Sequence, residues 1–175
     1  MIVEGSIFPL ARANVDTDQI IPTRFLGSLD LRGLGRECFS GLPGIDRLYA
    51  VHPDATIVAA GENFGAGSSR EHAVWALQGR GFRAAIAPSF ARIFEENAYN
   101  NGFVVCAVPP DAIDAVLAAR SARIDVAAES ILLDDGRTVE FKLDPLRKEF
   151  VLGGGFLAYM EAQIPEIRAW EAAKS

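Results

Sequence analysis

Residues 55–79 read ATIVAAGENFGAGSSREHAVWALQG, and this stretch decides the fold. Residues 55–60 form an uninterrupted apolar run, which is typical of a strand buried on both faces in a parallel sheet. A glycine-rich loop over 61–69 follows, and residues 70–78 then predict a helix that Gly79 closes. A strand, a glycine-rich loop and a helix in this order indicate an α/β architecture.

The sequence on either side extends this unit. Residues 83–87 and 103–108 predict two more buried strands, with a helix over 90–100 between them. Residues 2–8 alternate in polarity and predict a first strand. Residues 131–141 predict a hairpin that turns at Asp135-Gly136. The predicted fold class is therefore mixed α/β.

Three further stretches are less regular. Residues 27–44 are rich in Gly, Leu and Arg without a clear period and predict a long loop with one short helical turn. Pro109-Pro110 predicts the start of a helix. A last helix is predicted over about 156–173, and Pro165 should break or kink it. No repeat or composition shift marks a boundary, so we expect a single domain over residues 1–175.

Composition narrows the function classes. The chain has 175 residues, of which 50% are hydrophobic, and 17 basic against 23 acidic residues give a net charge of -6. This balance argues against nucleic acid and anionic membranes as partners. The two cysteines, Cys38 and Cys106, cannot hold an iron–sulfur cluster by themselves. A basic leader and a long apolar run are both missing, so a cytoplasmic location is expected.

The glycine-rich loop is the strongest candidate site. The first N–H groups of a helix lack internal partners and attract anions, and Arg70 can hold a carboxylate in a bidentate fork. Nucleotide motifs fit poorly. A P-loop needs a Lys that is missing here, and Gly65-Ala-Gly67 lacks the third glycine of a dinucleotide fingerprint.

Simpler explanations remain open for the same residues. Ser68 and Glu71 match the capping box S-x-x-E, although this does not account for Arg70 or the three glycines. Ser68 as the nucleophile of a triad is disfavoured because the G-x-S-x-G elbow is missing. His72 follows Ser68 by four residues, and a hydrogen-bonded structural role is favoured for it.

Three separated motifs carry a family resemblance. Residues 61–73, GENFGAGSSREHA, closely resemble the signature of the swivelling domain of the aconitase family. Residues 16–22, DTDQIIP, resemble its early motif, and residues 89–97, SFARIFEEN, followed by Asn101-Gly102, resemble its third. Because order and spacing also match, the chain is identified as a member. The resemblance implies a swivelling three-layer β/β/α domain with a mixed sheet and a barrel-like β layer.

The resemblance also implies an activity. Members are hydro-lyases that move a hydroxyl between adjacent carbons of a hydroxy-dicarboxylate or tricarboxylate through an unsaturated intermediate. A [4Fe-4S] cluster on a large subunit takes part, so this chain is expected to bind no cofactor or metal itself. The expected partner is that large subunit, in a heterodimer or heterotetramer. A different class, a stand-alone anion-binding module, would need no partner.

The same resemblance assigns roles to residues. Ser68 is the expected catalytic base, since unpaired N–H donors and the Arg70 guanidinium favour its alkoxide form. Gly67 and Ser69 are expected to bind a substrate carboxylate. Five residues are expected to support the site: Asp16, Thr17, Asp18, Glu71 and His72.

Substrate choice is expected to depend on the segment after DTDQIIP, namely Phe25, Leu26, Gly27 and Ser28. Homoaconitase-like members carry an Arg after the aromatic-Leu pair, and Gly27 stands there instead. This favours a substrate with an apolar arm, such as isopropylmalate. A related hydro-lyase that acts on homoaconitate or a methyl-substituted malate is the alternative. Leu29, Leu31 and Leu34 could line the pocket for this apolar arm, or they could simply pack the loop. Arg32 or Arg36 could reach an additional substrate carboxylate, which weakens the argument from the missing Arg.

Overall fold

Seven β-strands form one mixed sheet in the computed structural model, which describes residues 1–27 and 30–174. The strands are β1 (Ile2–Leu10), β2 (Ile57–Ala60), β3 (Ala84–Ala87), β4 (Val104–Ala107), β5 (Ser121–Asp125), β6 (Ser130–Leu133) and β7 (Thr138–Glu140). Their order across the sheet is β4-β3-β2-β1-β5-β6-β7. The predicted strands and the mixed α/β class are confirmed.

Strand β1 joins the two parts of the sheet. Its second half pairs in parallel with β2, with Ile7 opposite Ile57. Its first half pairs antiparallel with β5, with Ile2 opposite Asp125. Every residue of β2 and β3 is buried, as their apolar runs predict. The antiparallel part, which contains the predicted hairpin, therefore continues the parallel part directly.

Eight α-helices connect and cover these strands in the described residues. They are α1 (Thr17–Ile20), α2 (Leu31–Arg36), α3 (Ile45–Val51), α4 (Glu71–Arg80), α5 (Arg92–Asn100), α6 (Ile113–Ala118), α7 (Pro145–Gly153) and α8 (Phe156–Lys174). Two short 3₁₀ turns occur at Thr23–Phe25 and Pro110–Ala112. None of the described helices is both long enough and apolar enough to cross a bilayer.

The long loop predicted over residues 27–44 contains a six-residue helix, where only one short helical turn was expected. Helix α2 begins there after Asp30, whose carboxylate accepts a hydrogen bond from the Arg32 backbone N–H. Leu34 is buried in the core and therefore packs the helix instead of lining an open pocket. Two glycines inside α2 hid its helical pattern, since glycine is a poor helix former. Ser28 and Leu29 lie outside the described residues.

The C-terminal prediction is also corrected. Helix α7 was not predicted, although Asp144 caps it by accepting from the backbone N–H groups of Leu146 and Arg147. Helix α8 continues through Pro165, so the predicted break is wrong. A proline removes one hydrogen bond of a helix, and the remaining bonds of these five turns suffice.

Two glycines let α2 and α4 approach each other closely. A Cβ atom at Gly35 would lie 2.1 Å from the carbonyl carbon of Gly79, and one at Gly79 would lie 1.9 Å from the carbonyl oxygen of Leu31. These distances are far below van der Waals contact. Any side chain at either position must push the two backbones apart.

We therefore expect Gly79→Ala to destabilise the fold by about 1–3 kcal/mol, the usual cost of overpacking. Gly153→Ala is the matched control, because a Cβ there meets no atom closer than 4.0 Å. Urea unfolding of the three proteins measures the difference. Equal loss of stability in both variants would contradict the steric explanation.

Candidate active site

The glycine-rich loop ends one residue later than predicted. Helix α4 begins at Glu71, and Arg70 is its N-cap residue with an extended backbone and no side-chain capping bond. The Arg70 backbone N–H donates to the Ser68 carbonyl at 2.8 Å, which forms a tight turn before the helix. The alternative explanation of Ser68 and Glu71 as a capping box is therefore wrong. The Glu71 carboxylate accepts from the Asn101 side chain at 2.7 Å instead.

A capping box is present elsewhere, in the DTDQIIP motif. The Asp16 carboxylate accepts from the Gln19 backbone N–H at 2.7 Å, and the Gln19 side chain accepts from the Asp16 N–H at 3.0 Å. This reciprocal pair starts the single turn of α1. The three-residue spacing of Asp16 and Gln19 is the sequence signal for this capping box.

Helix α1 fixes the backbone of the candidate catalytic loop. The Thr17 N–H donates to the Ala66 carbonyl at 2.8 Å, and the Thr17 hydroxyl donates to the Ser68 carbonyl at 3.1 Å. Thr17 is 1% exposed. It is the only polar residue that is buried among the residues that the structure describes. The N–H groups of Gly65 and Ala66 both donate to the Val15 carbonyl. Two of the motifs are thus joined by main-chain bonds.

The third motif supports the same loop from its other side. The Phe64 N–H donates to the Ser89 carbonyl at 3.1 Å, and the Ala91 N–H donates to the Phe64 carbonyl at 2.9 Å. Gly65 has a φ of +80°, and a Cβ there would lie 2.2 Å from the Phe94 ring. Only glycine fits this place without moving the ring.

Arg70 links the loop to the segment that follows α1. Its guanidinium forms an ion pair with Asp18 and donates to the Thr23 hydroxyl at 3.3 Å. The Thr23 hydroxyl donates in turn to the Asp18 carboxylate at 2.5 Å. The hydrogen bond from Thr23, followed by that from Arg70, lowers the pKa of Asp18. Asp18 is therefore charged at neutral pH, and Arg70 is held in one direction.

The expected substrate-binding residues lie at the surface of this assembly. Gly67, Ser68 and Ser69 are exposed, while the hydrogen bond from the Thr17 hydroxyl to the Ser68 carbonyl holds the backbone of the loop. Phe25 and Leu26 are half-buried beside Thr23, and the Arg24 guanidinium stands 4.6 Å from the centre of the Phe25 ring. The structure brings the loop together with Asp16, Thr17, Asp18 and Thr23. Among the described residues, no hydrogen bond joins Phe25, Leu26 or the exposed Gly27 to Ser68.

His72 differs from its prediction. Its ring packs against Trp75, with 4.7 Å between the ring centres. Its Nε2 atom is buried and has no hydrogen-bond partner among the described residues. The predicted hydrogen-bonded role is therefore wrong for this nitrogen. Packing on an aromatic ring is the observed role of this side chain.

Asn101 is a residue that the sequence analysis did not assign to the site. Its side-chain oxygen accepts from the Trp75 indole at 2.9 Å, and its amide nitrogen donates to Glu71 at 2.7 Å and to the Asn97 carbonyl at 2.8 Å. The amide ties the first turn of α4 to the end of α5. Its place in the third motif, before Gly102, was the available signal.

The donors of this chain do not fit an iron–sulfur cluster. Such clusters are bound by thiolates, and both cysteines are buried free thiols. Burial raises the pKa of Cys38 to about 12 and also raises that of Cys106. In residues 1–27 and 30–174, no group of three or more His, Cys, Asp and Glu side chains could hold a metal ion.

Known proteins resemble this chain in sequence and in structure. Residues 42–110 match the family model of the aconitase C-terminal domain. A 3-isopropylmalate dehydratase small subunit from Anaeromyxobacter dehalogenans is 41% identical over 186 aligned positions, covering 99% of this chain and 97% of the relative. One from Rhodospirillum centenum is 41% identical over 169, covering 87% and 83%.

A solved structure agrees with the sequence comparisons. The crystal structure of 3-isopropylmalate dehydratase from Methanocaldococcus jannaschii superposes with a TM-score of 0.80, at 30% identity and with 100% of each chain covered. The swivelling-domain fold expected from the three motifs is thereby confirmed. The chain belongs to the family of 3-isopropylmalate dehydratase small subunits.

Proposed function

We propose that this chain is the small subunit of an isopropylmalate isomerase. The enzyme would interconvert 2-isopropylmalate and 3-isopropylmalate through 2-isopropylmaleate, by dehydration and rehydration, in leucine biosynthesis. One observation supports this most directly: Ser68 and Ser69 are exposed on a loop whose backbone is fixed by Thr17 and whose Arg70 is held by Asp18. Family membership supports the proposal that this loop is the site of the chemistry.

In this proposal Ser68 moves the proton. Its alkoxide takes the proton from the carbon next to a carboxylate, and the electron pair left there forms the double bond as hydroxide leaves the adjacent carbon. Rehydration in the opposite sense gives the isomer. A serine alkoxide is favoured only where positive charge and N–H donors stand near it. Arg70 supplies the positive charge beside the loop.

Gly67 and Ser69 would bind a substrate carboxylate in the same proposal. Gly67 has a φ of +89°, a conformation that turns its peptide groups away from the ordinary extended direction. The Ser69 hydroxyl is exposed next to it. Hydrogen-bond donors at this place can also stabilise the charge that builds on the carboxylate as the proton leaves.

The partner in this proposal is a large subunit, in a heterodimer or heterotetramer, that carries a [4Fe-4S] cluster. That cluster would supply a Lewis acid for the departing hydroxide. We propose that the present chain acts as one swivelling domain over residues 1–175, in the cytoplasm, and is inactive without its partner. The exposed faces of Ser68 and Ser69 suit closure over a site on another chain.

Substrate choice in this proposal depends on the turn that follows α1. Phe25 and Leu26 give it an apolar surface, and Gly27 provides no charge for an additional carboxylate. Isopropylmalate is therefore the proposed substrate, with homoaconitate and dimethylmalate as the compounds to compare. Arg70 connects this turn to the loop through Thr23. Ser28 is proposed as a further member, by its position next to Gly27.

Ser68→Ala should abolish isomerase activity while the subunits still associate. We expect a loss of about 10²–10⁴ in kcat, the range for a removed general base. The stability of the chain should not change, because the Ser68 side chain is exposed. The measurement is the conversion of isopropylmalate, homoaconitate and dimethylmalate after mixing with the large subunit. Ser130→Ala, in β6, is the matched control.

Two outcomes of that assay would contradict separate parts of the proposal. Full activity of Ser68→Ala would exclude the assigned base. A wild-type preference for homoaconitate would exclude the assigned substrate and leave the base untouched.

Asp18→Asn should raise KM more than it lowers kcat, since it releases Arg70 without removing it. Because the pKa of Asp18 is lowered in the fold, its contribution to stability is present above pH 4, near the ordinary pKa of Asp, and is lost as pH falls further. We expect a difference in unfolding free energy of no more than about 1 kcal/mol at pH 7, because the Asp18 side chain is 51% exposed and the ion pair is therefore screened by solvent. Urea unfolding at pH 7 and pH 3 measures it. A difference that grows toward acid pH would contradict this sign.

A further inference from the structure

The C-terminal helix α8 carries a large share of the exposed apolar surface. Fourteen large hydrophobic side chains are exposed in the described residues, and six of them belong to this helix. The six exposed hydrophobic residues of α8 are Phe156, Leu157, Met160, Ile164, Ile167 and Trp170. None of the described α8 side chains is buried. Such a concentration on one element is typical of a surface that another chain covers.

Only one side of α8 is attached to the rest of the chain. Tyr159 packs on the Phe150 ring of α7 at 5.0 Å between ring centres, and Phe156 packs on the same ring at 5.2 Å. Tyr159 and Gln163 are the half-buried members of the helix, four residues apart and thus on one face. The helix is therefore anchored over its first two turns, and its later turns are exposed.

The exposed apolar residues beside that face follow a coiled-coil spacing. Leu157, Met160, Ile164 and Ile167 are separated by three, four and three residues, which is the a/d repeat of a heptad. Leu157 is 75% exposed and Ile167 is 47% exposed. We call these four residues the α8 seam. Pro165 occupies the next position after Ile164 and so points away from the seam.

The charges that flank the seam fit a second copy of the same helix. In an antiparallel pair of identical helices, Leu157 would lie opposite Ile167 of the other copy, and Met160 opposite Ile164. Glu161 and Arg168 then flank the same edge, with Arg168 of one copy next to Glu161 of the other. Helical side chains lean toward the N-terminus, so these two lean toward each other across the pair. The two like-charged Glu161 side chains lean apart.

We propose that the α8 seam is a homodimer interface, in which α8 of one copy pairs antiparallel with α8 of a second copy. The two-fold axis passes between the Met160 and Ile164 layers. Each α8 seam residue then meets an apolar partner, and two Glu161–Arg168 pairs form. Because each helix offers only about three turns, the buried area falls at the low end for specific interfaces, so the association is concentration-dependent.

Analytical ultracentrifugation of the full chain over a wide concentration range tests the proposal. The wild-type chain should dimerise, and Ile164→Asp should remain monomeric at every concentration. Ile93→Asp is the matched control, since Ile93 is equally exposed, at 41%, but lies on α5. It should dimerise like the wild type. A wild-type chain that stays monomeric throughout would overturn the proposal.

Charge exchange tests the antiparallel arrangement itself. Glu161→Arg places like charges together and should weaken dimerisation at least tenfold, whereas the double variant Glu161→Arg/Arg168→Glu should restore it. Failure of the double variant to recover would overturn this pairing. All variants should retain isomerase activity with the large subunit. If the free chain is monomeric and Ile164→Asp instead prevents assembly with the large subunit, that subunit is the occupant and the homodimer proposal is wrong.

Discussion

The hydrogen bond from the buried Thr17 hydroxyl to the Ser68 carbonyl is the contact on which the candidate site depends. A buried hydroxyl without a partner is costly, so this bond is required by the fold as well as by the site. It fixes the backbone of a residue whose side chain remains exposed. The arrangement combines a rigid backbone with an accessible hydroxyl, which is the condition for a positioned base.

Arg70 and Asn101 connect the loop and the start of α4 to two further parts of the structure. Arg70 connects the loop to Asp18 and Thr23, and Asn101 connects the first turn of α4 to the end of α5. Each of the three sequence motifs therefore contacts a neighbouring motif or the loop between them. The three motifs, which are separated in the sequence, therefore meet in space. They do so in short loops at the ends of β2, β3 and the helices.

The sequence allowed the central strands to be predicted because their apolar runs have no other stable place than a buried sheet. The Asp135-Gly136 turn likewise identified its hairpin. Only one short helical turn was predicted where α2 lies, since Gly33 and Gly35 lower the intrinsic helix preference while contact with α4 stabilises the helix. The start of α4 was predicted one residue early, at Arg70, because the turn that the Arg70 N–H makes with the Ser68 carbonyl has no signal in the sequence. Side-chain networks such as that of Asn101 require tertiary contacts that no single sequence pattern contains.

The double pairing of β1 affects which edges the sheet presents. Since β1 lies in the middle, the two outer strands of the sheet are β4 and β7, of four and three residues. Unpaired edges of that length offer few N–H and C=O groups to an incoming strand, and short edges are one way in which natural proteins resist sheet-to-sheet aggregation. By placing the longest strand, β1, in the middle of the sheet, the topology leaves only short edges open to strand-to-strand association with other copies.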